Sequence, residues 1–272
     1  MPGTPTGRPR RTALATAVAA AACTALLTPV APASAAELDR YVGMGDSYSS
    51  GNGAFSTNLN SACGRNTYAY PYLVARSRPN TSLDFVACQG ATTEDVPGQA
   101  RALSADTDYV SITIGGNDVG FANLIVNCAG SWSPTCDSAI DNANNRIRNE
   151  LPAKLDKAYA TIRAGAPNAT VVVLGYGRVF GQDLSCPAAA GASPDKAAKL
   201  NAVADNLDAV TRNRAEAAGF VYKSSIRSFT GHDVCAADPW INGATWSVGD
   251  SYHPTRSGYA NGFAPAVRAV IG

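Results

Sequence analysis

An α/β fold with a largely parallel sheet is the class this sequence predicts. Short apolar runs of strand length recur along the chain, and the segments between them repeat apolar residues at helical spacing. A hydrophobic content of 46% in 272 residues is enough for a sizeable core and excludes a disordered chain. Charged residues make up only 16%, below the roughly 25% of typical soluble domains, so Ser, Thr, Asn and Gly must supply the surface polarity. That pattern suits a secreted protein.

Residues 1–35 read as a secretory signal peptide, with a basic start at Arg8, Arg10 and Arg11, an apolar run over 13–27, and Ala33-Ser34-Ala35 as a small-x-small cleavage site. Pro29 and Pro32 interrupt the end of the apolar run and argue against a permanent membrane span. Arg10-Arg11 and Cys23 raise the twin-arginine and lipoprotein readings, but their flanks match those signals poorly. Removing the three leader arginines takes the formal net charge from +1 to −2. Electrostatic binding to nucleic acid has no support in that balance.

The remainder, 36–272, reads as one domain without repeats or a long linker. Its expected strands are Tyr41–Met44, Leu83–Ala87, Tyr109–Ile114, Thr170–Leu174 and Phe220–Lys223. A helical stretch spans Ser138 to Ala164, bent or broken near Pro152. The clearest helix opens at Ser193-Pro194, an N-cap followed by a first-turn proline, and repeats Leu200, Val203, Leu207 and Val210 until Gly219. A last helix is expected over Gly258–Val270. The segments 56–65, 127–136, 181–191 and 231–249 read as loops, and in an open parallel sheet such loops rim the ligand site beyond the strands' carboxyl ends.

Cys63, Cys88, Cys128, Cys136, Cys186 and Cys235 remain after the leader is removed, an even set that after export suggests three disulfides among fifteen pairings. No CxxC pair and no histidine at ligand spacing supports a metal site.

The strand-like run Tyr41-Val42-Gly43-Met44 leads into Gly45-Asp46-Ser47, a turn able to hold a hydroxyl at the sheet's carboxyl end. The same three letters recur at Gly249-Asp250-Ser251, and alone they are an ordinary turn or helix cap. Only two histidines exist. His253 follows Asp250 by three residues, so a short loop can bring a carboxylate onto one ring nitrogen and leave the other to take a proton from serine. His232 lacks such a setting and reads as structural. The strand ending Ile114-Gly115-Gly116-Asn117 can present an amide to a developing oxyanion, and Cys88-Gln89-Gly90 can present a backbone N–H to it.

In this order the four blocks resemble the SGNH (GDSL) hydrolase superfamily across essentially the whole mature chain. The likeness is greatest to its secreted bacterial lipases, esterases and phospholipases A1, through Gly45-Asp46-Ser47-Tyr48-Ser49-Ser50-Gly51, the six cysteines and Ser251-Tyr252-His253-Pro254-Thr255. The resemblance implies a three-layer α/β/α sandwich around a mostly parallel five-stranded, flavodoxin-like sheet. It implies Ser47 as nucleophile and His253 as general base. Asp250 would orient the ring, with the Ser251 main-chain carbonyl as the substitute, and the Ser47 N–H, Gly90 N–H and Asn117 side chain would form the oxyanion hole. Disulfides would join Cys63–Cys88, Cys128–Cys136 and Cys186–Cys235. Gly43 departs from the alanine frequent in relatives.

The function expected is a secreted lipase or esterase working through an acyl-enzyme, with phospholipase A1 next and polysaccharide deacetylase or a glycan-binding protein as rivals. No metal or organic cofactor and no nucleic-acid partner is expected; the partners are an ester or phospholipid substrate and a transient lipid interface, and the chain is expected to be a monomer. Trp132, Trp240 and Trp246 can line a lipid groove or simply pack.

Overall fold

The computed structural model describes residues 1–4, 7, 38–128 and 134–272. Residues 5, 6 and 8–37, which include most of the expected leader 1–35, and Trp132 lie outside that range. The chain parts into two units, Met1–Ala35 and Ala36–Gly272, and every element below belongs to the second. Among the described residues no helix is long and apolar enough to cross a membrane.

The sheet is five-stranded and entirely parallel, in the order β2-β1-β3-β4-β5. Its strands are β1 (Asp39–Gly45), β2 (Thr81–Phe85), β3 (Tyr109–Thr113), β4 (Thr170–Leu174) and β5 (Val221–Lys223). The inner strands β1, β3 and β4 bury nearly every residue, as a sheet covered on both faces requires. β2 starts and stops two residues earlier than the apolar pattern suggests. Its register with β1 ends at Gly43–Phe85, and the Val86 and Ala87 amides both turn onto the Gly43 carbonyl.

The helices are α1 (Ser47–Ser50), α2 (Tyr70–Arg76), α3 (Val96–Gln99), α4 (Phe121–Cys128), α5 (Cys136–Asn149), α6 (Leu151–Gly165), α7 (Pro194–Ala217), α8 (Ser225–Ser228) and α9 (Ala264–Ile271). The break expected near Pro152 falls at Glu150, between α5 and α6. α7 matches its capping signals, with the Ser193 hydroxyl accepting from the Lys196 amide. The final helix opens instead with a wider π-helical turn, Gly258–Phe263, that buries Tyr259 and Phe263 before α9 begins. The short helices α2 and α4 carry too little periodicity to be read in advance. α2 packs with α9 on one side of the sheet, and α5, α6 and α7 pack together on the other, giving the α/β/α sandwich.

Disulfides Cys63–Cys88, Cys128–Cys136 and Cys186–Cys235 tie the loops down. The first holds the segment after α1 against the turn after β2, where the Gln89 amide also donates to the Cys63 carbonyl at 3.0 Å.

Gly43 has a packing reason. A Cβ there would lie 2.6 Å from the Pro71 Cβ and 3.4 Å from the Phe85 ring, because α2 sits directly on β1 at that residue. Gly43→Ala should therefore destabilise the fold by about 1–3 kcal/mol through overpacking. Thermal unfolding checks this, and adding Pro71→Ala should recover much of the loss.

Candidate active site

The site is built where β1 ends. Gly45 has φ of +116°, and a Cβ on it would lie 2.3 Å from the Thr113 carbonyl oxygen, so only glycine lets the chain leave the sheet this closely. Gln99 of α3 brackets the same residue: its side-chain oxygen accepts from the Gly45 N–H at 2.7 Å and its amide donates to the Gly45 carbonyl at 2.9 Å. Asp46 then caps α1, accepting from the Tyr48 amide at 3.0 Å. Its carboxylate also accepts from the Thr113 hydroxyl at 2.7 Å and from the Tyr176 hydroxyl. Burial pushes the Asp46 carboxyl up to about 6, against the opposing pull of those bonds.

Ser47, the first residue of α1, is 9% exposed, and its hydroxyl lies 2.7 Å from His253 Nε2. The other ring nitrogen, Nδ1, is 2.9 Å from the Ser251 carbonyl oxygen. A carbonyl can only accept, so Nδ1 carries the proton and Nε2 presents a lone pair to the serine. Burial holds the imidazole down at about 4, opposed by the Ser251 bond and the Asp250 charge, so the ring is neutral at pH 7 and able to accept a proton.

The Asp250 carboxylate is hydrogen-bonded away from the His253 ring. One carboxylate oxygen accepts from the Gly53 amide at 2.6 Å and the other from the Ser247 hydroxyl at 2.6 Å. Both oxygens are thus committed to tying the histidine loop to the segment after α1, and the ring is oriented by the carbonyl of the next residue. The extended backbone at Ser251 turns that carbonyl towards the imidazole. The serine of the second Gly-Asp-Ser copy is structural: its hydroxyl accepts from the Thr245 amide at 2.9 Å.

The histidine loop is anchored elsewhere too. The Tyr48 hydroxyl donates to the Tyr252 carbonyl at 2.6 Å, and the Asn242 amide donates to the His253 carbonyl at 2.8 Å. Tyr252 itself sits at φ +59°, the left-handed region, immediately before the histidine.

Asn117 points its side-chain nitrogen at the Ala91 carbonyl, 2.9 Å away, which leaves one N–H of that amide. Gly90, at φ +78°, and Ser47 have backbone N–H groups that donate to nothing among the described residues. Ser47, His253 and Asn117 line one apolar pocket of about 420 Å³, with Tyr48, Phe121, Tyr176, Val248 and Tyr252 in its walls. A larger, more polar cleft of about 600 Å³ beside Arg178 and Asp233 contains neither Ser47 nor His253. His232 is stacked on Trp240 at 3.7 Å between centroids and lines neither space, so both residues pack. Trp246 is 90% exposed and stacks on Phe55. Gln99 and Tyr176 have no sequence signal of their own; only their contacts across the sheet end reveal them.

Residues 44–260 match the GDSL-like Lipase/Acylhydrolase family. Lipase 1 of Streptomyces coelicolor is 42% identical over 252 residues, which are 90% of this chain and 93% of that protein. The crystal structure of an extracellular lipase from Streptomyces rimosus superposes with a TM-score of 0.81 at 42% identity, covering 85% of this chain and 99% of that one. Phospholipase A1 from Streptomyces albidoflavus NA297 gives 0.80 at 39% identity, with the same shares covered. Fold and relatives together place the protein among the ester hydrolases. The chain belongs to the GDSL-like Lipase/Acylhydrolase family.

Two expectations follow from the geometry. With a carbonyl holding Nδ1, Asp250→Asn should keep ester turnover within about tenfold, where loss of an orienting carboxylate costs about 10⁴-fold; initial rates on a soluble ester decide between them. The His253 ring proton should titrate by NMR with a midpoint near 4, identified against a His232→Gln variant; a midpoint near 6.5 would mean a solvated ring.

Proposed function

We propose that this chain is an exported serine lipase that cleaves lipid acyl esters, with Ser47 as nucleophile and His253 as its base. The observation that carries this reading is the 2.7 Å contact between Ser47 Oγ and a neutral His253 Nε2 on the wall of an apolar pocket. In the proposed reaction Nε2 takes the Ser47 proton as Oγ attacks the ester carbonyl. The tetrahedral oxyanion is received by the Ser47 and Gly90 amides and the remaining Asn117 N–H. His253 passes the proton to the departing alcohol, and water, deprotonated by the same nitrogen, releases the acid.

Several features support a lipid substrate. The pocket walls are largely apolar, and Trp246, Val248 and Phe55 stand exposed nearby, with Val248 belonging to the pocket itself. Such side chains suit transient contact with a lipid interface. The lipase and phospholipase A1 relatives are of the same kind, and phospholipid is the second substrate this reading admits. Export rests on the leader pattern over 1–35, its removal leaving 36–272 as the working domain, and on three disulfides, which persist in oxidising compartments.

The test is acid release by the purified protein from triacylglycerol, phosphatidylcholine, a short-chain ester and acetylated xylan, with Ser47→Ala alongside. Long-chain release should exceed acetate release, and Ser47→Ala should lower turnover at least about a thousandfold with the melting temperature little changed. Acetate release that outruns every lipid ester would overturn the lipid reading, and turnover surviving in Ser47→Ala would overturn the nucleophile.

A further inference from the structure

Phe121 separates two apolar spaces. Outside it lies the pocket of about 420 Å³ that holds Ser47 and His253; inside lies a narrow cavity of about 20 Å³ walled by Leu124, Val179, Leu200, Val203 and Leu207. Phe121 and Tyr176 line both spaces. Tyr176 is clamped in place, its hydroxyl accepting from the Gly116 amide at 3.0 Å and donating to Asp46. Phe121 has no polar handle, and only its backbone is tethered, through its amide to the Gly116 carbonyl at 3.1 Å. Of the two shared walls it is the one whose size can change without disturbing the turn under Ser47.

Its position also indicates which part of the substrate it meets. The alcohol that leaves an ester must sit beside His253 Nε2 to be protonated. Phe121 follows the Gly116-Asn117 turn directly, its amide donating to the Gly116 carbonyl, and it shares the pocket wall with Asn117. With the alcohol beside His253, the acyl chain is assigned to the Phe121 side of the pocket.

We propose that Phe121 is the residue that sets acyl-chain length, closing the inner end of the acyl pocket, and that shortening it opens the pocket into the apolar space between α4 and α7. The inference rests on the lipase reading above. The inner walls are aliphatic, so added methylenes gain by burial there, at about fourfold per methylene.

The experiment is a competition between decanoyl and butyryl nitrophenyl esters within one preparation, which reads the ratio of their kcat/KM values independently of the fraction of active protein. Phe121→Ala should raise the decanoyl-to-butyryl ratio at least tenfold, and Phe121→Trp should lower it below wild type. Adding Val203→Phe to Phe121→Ala refills the inner space and should bring the ratio back, a reversal that a general loosening of the fold would not give. Phe121→Leu is the milder variant should the alanine protein fail to fold, and its ratio should rise by a smaller step. A wild-type ratio in the shortened variants, or no reversal by Val203→Phe, overturns the proposal. Wild-type protein inert towards both esters would fail the lipase reading instead, a result distinct from active protein with an unchanged ratio.

Discussion

A carboxylate buried immediately before a serine has to be solvated by protein, and the end of the sheet is arranged around that requirement. Asp46 is 1% exposed, and leaving an ionised carboxylate without partners at such depth would cost several kcal/mol. Its partners come from three places in the chain: the Tyr48 amide in α1, the Thr113 hydroxyl at the end of β3 and the Tyr176 hydroxyl just after β4. Satisfying one charge thereby draws three segments into register. Ser47 is the next residue, so its hydroxyl inherits that precision. The network continues outward, since the Ser49 hydroxyl meets both Thr113 and the Tyr70 hydroxyl of α2.

The histidine arrives from the opposite end of the chain, on a loop whose regular structure is a 3-10 turn, Val248–Asp250, and one antiparallel bridge, Ile241–Pro254. Polar ties hold that loop to the segment around α1. Asp250 reaches Gly53, Tyr48 reaches Tyr252, and Tyr259 donates to the Asn52 carbonyl at 2.6 Å. Using Asp250 as a tie and a main-chain carbonyl as the ring's partner separates two tasks that a single carboxylate often combines. A neutral carbonyl stabilises an imidazolium less than a carboxylate does, which fits a ring that burial keeps unprotonated.

The pocket follows from the same economy of charge. With few ionisable groups in the chain, the walls beyond Ser47 fall to Phe121, Val248, Tyr176 and Tyr252. An apolar wall beside a neutral serine-histidine pair suits acyl esters better than charged substrates.

Much of this was legible in advance where the information is local. The inner strands are continuous apolar runs, α7 announces its start with Ser193-Pro194, and Gly45 and Gly115 follow strands because both turns need a positive φ. Ser47 and His253 could be singled out because the chain has just two histidines and one Gly-Asp-Ser that ends a strand. The partner of the ring could not be settled that way: Asp250 and Ser251 stand at three and two residues from His253, and both reach Nδ1 on paper. The choice belongs to Gly53, 197 residues before Asp250, whose amide takes the carboxylate. Gln99, Tyr176 and Phe121 were hidden for the same reason, since their work depends on side chains brought together by the parallel sheet from distant parts of the chain. Periodicity and turn chemistry are properties of neighbouring residues and survive in the sequence; competition for a hydrogen bond among remote groups exists only once the chain has folded.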